Sequence, residues 1–162
     1  LETVERNIIS EEEYKLGKIK YDDKILHRSR VVRFYAEKET PKQKTQKDLE
    51  NVYKKIKRNK NYFFSAKDLA LIQSLEADGI NIPKEIKTKE MEAKYSIPEG
   101  MLKLLQNGEV GMLSLKFVEI IGEDEIYDLD AETIYFMVNI LNKAKIINFR
   151  NKVLSAALPL RS

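Results

Sequence analysis

Phe64-Ser65-Ala66-Lys67-Asp68-Leu69 opens a helix, and Leu75-Glu76-Ala77-Asp78-Gly79-Ile80 closes it, with five residues between. Ser65 is placed to cap the free amides of the first turn, and Asp68 stands at the capping-box position, a shorter carboxylate in place of Glu or Gln. Phe64 and Leu69 occupy the two positions of a hydrophobic staple. At the far end Gly79 suits a left-handed C′ residue, and Ile80 is placed to fold back on Leu75 in a Schellman motif. This one segment declares a helix from both ends.

Similar punctuation recurs in both directions. Ser10-Glu11-Glu12-Glu13 has capping-box form and predicts a short helix to about Tyr21. Asp22 or Asp23 begins the next, with Ile25, Leu26, Val32 and Tyr35 on one face. In Thr40-Pro41-Lys42-Gln43, threonine is expected to cap, proline to sit at N1 and Gln43 to complete the box. Leu49, Val52, Tyr53 and Ile56 then follow at i, i+3, i+4, i+7, an apolar stripe on a strongly basic helix. Ile82-Pro83 breaks the chain, and 84–95 is highly charged, with only Ile86, Met91 and Tyr95 to bury. It reads as a weak helix or connection. Within a single helical domain it is the candidate boundary between lobes 1–83 and 96–162.

Ser96-Ile97-Pro98-Glu99 starts another helix and Asn107-Gly108 ends it. Val110, Leu113, Phe117 and Ile120 mark the next helical face, and Gly122 its stop. The apolar run Leu115 to Ile121 imitates a buried strand, but its spacing and stop favour helix. Asp128 or Asp130 caps a helix carrying Ile134, Met137, Val138 and Leu141. A last one bears Ile146, Phe149, Val153 and Leu154. No segment shows sustained period-two alternation with hairpin turns. The expected fold is all-α: eight or nine helices of ~10–18 residues in antiparallel pairs, able to curve as a short superhelix.

Composition narrows the chemistry. At 162 residues and 43% hydrophobic the chain can bury a core and is not disordered. It has no cysteine, so disulfides, thiolate metal sites and cysteine nucleophiles are excluded. No apolar run approaches the ~18 residues of a membrane span. The chain opens on Leu1 and reads as a trimmed or processed piece of a longer polypeptide, with any targeting signal lying before Leu1.

The net charge of +3 is unevenly spread. Residues 42–60 carry eight Lys or Arg against two acids, 97–142 nine acids against two lysines, and 143–162 five bases and no acid. Segregation on this scale steers a charged partner or favours head-to-tail self-association.

Chemical motifs are sparse. His27, the single histidine, lies among Arg28, Arg30 and Arg33 and reads as a structural side chain before a general base. Asp128, Asp130 and Glu132 match positions 1, 3 and 5 of a calcium loop. Thr133 and Asn139 then stand where glycine and a bidentate glutamate are required, so the match fails and no metal site is assigned. Gly108-Glu109-Val110-Gly111 lacks the third glycine of a dinucleotide fingerprint. Gly108 reads as a helix stop and Gly111 as a point of close helix packing. No catalytic residue and no cofactor site is assigned. The basic residues Lys47, Lys54, Lys55 and Arg58 are the candidate binding set, for phosphates or an acidic partner, with Tyr53, Tyr62 and Phe63 available for base stacking.

The stretch from Tyr62 to Gly79, quoted in part above, resembles a segment of uncharacterised all-helical proteins of alphaproteobacteria, and Gly108 to Leu158 is similar to them in the same way. The richness in Lys, Ile and Asn resembles the version of such a protein from an AT-biased genome. The resemblance implies a helical scaffold from a longer, exported protein without assigned activity, and it transfers no catalytic residue. Composition alone is equally compatible with the cytoplasm. The leading expectation is a non-catalytic protein-interaction or scaffolding module, its partner another protein or a second copy. The alternative is nucleic-acid binding through 42–60, and the third an enzyme using His27 or an acid pair.

Overall fold

The computed structural model describes residues 26, 29–36, 40–59, 64–93, 95, 99–121, 126 and 129–158. A π-helical turn, Val31–Tyr35, precedes seven α-helices: α1 Lys42–Arg58, α2 Ala66–Ala77, α3 Thr88–Glu92, α4 Glu99–Gln106, α5 Val110–Ile121, α6 Ala131–Lys143 and α7 Ile147–Ala157. There is no β-strand among the described residues, and the chain is all-α. The expected helix over 10–21 and the expected start at Asp22 or Asp23 lie outside them, so seven α-helices stand where eight or nine were expected. Leu115 to Ile121 is helix.

Helix α2 buries apolar residues around most of its circumference, with only Lys67, Gln73, Glu76 and Ala77 reaching solvent. Ala66, Leu69, Ala70, Leu71, Ile72 and Leu75 are all buried. Its most extensive partner is α6, which buries Ile134, Met137, Val138, Ile140 and Leu141. The principal core interface therefore joins an element before the charged segment 84–95 to one after it. Within that segment α3 rests on α2, Ile86 is buried, and the Tyr95 ring lies 5.1 Å from that of Tyr135 on α6. Helix α7 packs on α6 through the short turn Ala144–Ile146. It runs antiparallel to α2: Lys67 Nζ, at the start of α2, donates to the Ala157 carbonyl at the end of α7, while Asp78 just beyond α2 meets Arg150 near the start of α7.

The local punctuation of α2 is realised at both ends. Ser65 Oγ accepts from the Asp68 amide at 3.3 Å, and Asp68 Oδ2 accepts from the Ser65 amide at 3.0 Å. Beyond Ala77, Gly79 adopts φ +87°, its amide bonds to Glu76 O, and Ile80 N reaches Leu75 O at 2.9 Å. Asn107-Gly108 closes α4 in the same way, with φ +71° at Gly108. Of the two expected caps for α6, Asp130 is the one used: its Oδ1 accepts from the Thr133 amide at 2.8 Å.

Two local expectations are corrected. Thr40 does not cap α1, because the helix starts one residue later than expected, with Pro41 (φ −55°, ψ 137°) at the N-cap position; the Thr40 hydroxyl donates to Phe34 O at 2.9 Å, six residues back. The N-cap has no side-chain cap, and the intended box is absent. Gly111 is exposed, and a Cβ built there meets nothing within 4 Å, so no close helix approach depends on it.

Helices α4 and α5 form a shallower pair. No residue of α4 is fully buried, and Leu113 and Phe117 anchor α5, whose Met112 and Leu115 stay exposed. No helix among the described residues is long and apolar enough to cross a membrane.

Candidate functional site

Helix α7 buries the face that carries Arg150, Val153, Leu154 and Ala157, so its spacing drives an arginine into the core. Arg150 is 0% exposed. A guanidinium cannot shed its charge, so burial requires that its donors be met in full. Nη1 donates to Asp78 Oδ1 at 2.9 Å and to Asn142 Oδ1 at 3.0 Å. Nη2 donates to Asp78 Oδ2 at 2.6 Å, to Asn151 Oδ1 at 2.8 Å and to the Tyr35 hydroxyl at 3.2 Å. Nε donates to Asn151 Oδ1 at 3.2 Å. The fork on Asp78 is the bidentate geometry that makes Arg–carboxylate pairs strong.

The cluster joins four elements. Tyr35 arrives from the end of the π turn, and its hydroxyl donates to Asp78 Oδ2. Asp78 is the C-cap of α2. Asn142 comes from the last turn of α6, where its Nδ2 donates to Ser74 Oγ at 3.2 Å, and Ser74 in turn donates to Ala70 O. Burial works to raise the carboxyl pKa of Asp78. The hydrogen bonds from Arg150 and Tyr35, with the charge of Arg150, outweigh it and hold the carboxyl below its ordinary value. Burial, reinforced by the bond to Asp78, pushes the Tyr35 phenol far above its ordinary range, so it stays a neutral donor.

Over this cluster opens a cavity of about 990 Å³, walled by Tyr35 and Asp78 on one side and by Asn148, Asn151, Lys152 and Ser155 of α7 on the other. Those four recur at i, i+3, i+4, i+7, the polar stripe of a helix whose opposite face is core. Arg150 is sealed beneath it.

The basic residues singled out from the sequence lie elsewhere. On α1, Lys47, Lys54 and Arg58 fall within about 40° of one another and Lys55 about 80° from Lys47, at 100° per residue. The buried residues Leu49, Val52 and Ile56 occupy the opposite side, and all four bases are exposed. None of the four makes an ion pair or hydrogen bond among the described residues, and none lines the cavity. Two neighbouring lysines are engaged: Lys44 Nζ lies 4.4 Å from the Phe34 ring centroid and Lys57 Nζ 5.7 Å from that of Tyr53. Tyr53 is half-buried against the core, so its ring is not a free stacking platform. Tyr62, Phe63 and His27 lie outside the described residues, as do Glu123 to Glu125 and Asp128. Among the described residues no group of three or more His, Cys, Asp or Glu is placed to hold a metal ion.

The sequence reading missed Arg150, Asp78, Asn142 and the tertiary role of Tyr35. Two signals were available. A carboxylate at the negative end of a helix, as at Asp78, is unfavourable unless a cation meets it from outside. Arg150, four residues after Ile146 and three before Val153, stands on the apolar stripe of its helix. Comparison with protein-family models, with curated proteins and with solved structures finds no match to this chain.

Proposed function

We propose that this chain is a non-catalytic helical interaction module of a larger polypeptide, docking an acidic protein partner on the exposed face of α1. The observation that supports it is the separation of faces on that helix. Leu49, Val52 and Ile56 are consumed by the core, while Lys47, Lys54, Lys55 and Arg58 point away from it without partners among the described residues. Surface lysines left uncompensated over about 16 Å of helix make a field that attracts a complementary acidic surface. A protein is favoured over a nucleic acid because Tyr53 is turned into the core and is not a free stacking ring.

The test is a titration of the chain and of its Lys54→Glu, Lys55→Glu, Arg58→Glu variant with a glutamate-rich peptide and with a single-stranded oligonucleotide. The reading expects the peptide to bind in a salt-dependent way and the triple variant to bind it at least tenfold more weakly. Tighter binding of the oligonucleotide, lost in the same variant with a steep salt slope, establishes the nucleic-acid alternative. Equal binding by both chains rules out α1 as the docking face.

A further inference from the structure

The cavity above Arg150 is independent of the α1 face, and its lining specifies a ligand. Its volume, about 990 Å³, is at the upper end of the range for small-molecule sites. The charge of its described wall follows from the pairing beneath it. Arg150 and Asp78 neutralise each other, and both carboxylate oxygens are already engaged by Arg150, one of them also by Tyr35. The remaining charged side chain on the described wall is Lys152, which is exposed.

The hydrogen-bonding capacity left over is donor-rich. Asn151 Oδ1 receives both Arg150 Nε and Nη2, which fixes the amide and leaves its Nδ2 on the side away from the guanidinium. Asn148 and Ser155 add an amide and a hydroxyl from the same face of α7. Ile147, an exposed large apolar residue, and the Tyr35 ring supply apolar wall.

We propose that this cavity binds a small organic monocarboxylate, its carboxylate held by Lys152 Nζ and Asn151 Nδ2 and its apolar body against Ile147 and Tyr35. Among the described lining residues a single ammonium stands with neutral amides, which suits one negative charge. A phosphate dianion is best met by a bidentate arginine fork, and the arginine here is sealed away from the cavity and bound to Asp78.

The experiment uses the full chain, ¹⁵N-labelled, titrated with 1-naphthylacetate, its neutral analogue 1-naphthylacetamide, and 1-naphthyl phosphate. Expected are amide shifts clustered on α7, including the Asn151 side-chain NH₂, and affinity for the acid about tenfold above that for the amide. Lys152→Gln, a change at an exposed position, is expected to remove that preference by weakening the acid far more than the amide. Lys89→Gln, the same charge change on α3, is expected to alter nothing. The proposal is overturned if the acid causes no shifts at millimolar concentration, if acid and amide bind alike, or if Lys152→Gln leaves the preference intact. Tighter binding of the phosphate overturns the monocarboxylate assignment.

Discussion

At Arg150 the core contains a full positive charge, and its stability depends on groups contributed by other elements. Replacing one member of a buried pair is costly because the survivor keeps its desolvation penalty. Asp78→Asn, which retains the shape but removes the counter-charge, is expected to destabilise the chain by about 2 kcal/mol at neutral pH, less than for a fully buried pair because Asp78 is itself 28% exposed. The pH dependence has a defined sign. The Asp78 carboxyl is held below its ordinary value of 3.8. Its contribution is therefore complete above that value and is lost as pH falls through the lowered one. Urea unfolding of the two chains is expected to show a wide gap at pH 7 that narrows below about pH 4. A gap that stays constant down to pH 2.5 contradicts this role. None of it was legible by local rules, because Asp78 and Arg150 stand 72 residues apart in sequence. What the sequence did carry was two local misfits, an acid at a helix C-terminus and an arginine on an apolar stripe, each unfavourable until the other is supplied.

At the scale of the element, legibility follows the reach of the deciding interaction. The ends of α2 were readable because each of their bonds closes within five residues, from Ser65 to Asp68 and from Leu75 to Ile80. Thr40 followed the same rules and failed them, since Pro41 stays extended at ψ 137° and starts the helix one residue later, which leaves Thr40 outside the cap with its hydroxyl donating to Phe34 O. The turn between α6 and α7 offers a comparison. Lys145 takes the position that Gly79 and Gly108 fill elsewhere, with φ +59°, and Ile146 N closes on Leu141 O at 2.9 Å. A left-handed residue with a Cβ is strained by roughly 1 kcal/mol. Lys145→Gly is accordingly expected to raise the thermal midpoint by about 1 °C, after the unfolded-state entropy of glycine is subtracted. Gly79→Ala is expected to act oppositely, lowering it by about 1 kcal/mol equivalent, because φ is +87° and the new methyl meets the Lys42 ammonium. Differential scanning calorimetry of the two variants checks both signs. A stabilised Gly79→Ala would contradict the assigned turn.

For the whole molecule, the all-α class was readable because helix periodicity and caps are repeated in nearly every segment, so that single failures do not change the class. The arrangement was less readable: that α2 becomes the centre of the core depends on its apolar residues spreading around most of the helix and on α6 and α7 covering it from far along the chain. The candidate interaction face was legible, because it needs only one helix, a buried stripe and the charges opposite. The cavity was not, since it forms where a π turn, the end of α2 and the face of α7 converge. The account predicts that recognition on α1 is electrostatic and carried by its exposed bases. The most direct measurement is a charge-swap titration of the chain and its Lys54→Glu, Lys55→Glu, Arg58→Glu variant against a glutamate-rich and a lysine-rich peptide of equal length. The predicted result is a crossover, with the parent chain preferring the acidic peptide and the variant the basic one, each preference fading as salt is raised. Unchanged preference in the variant would contradict the account.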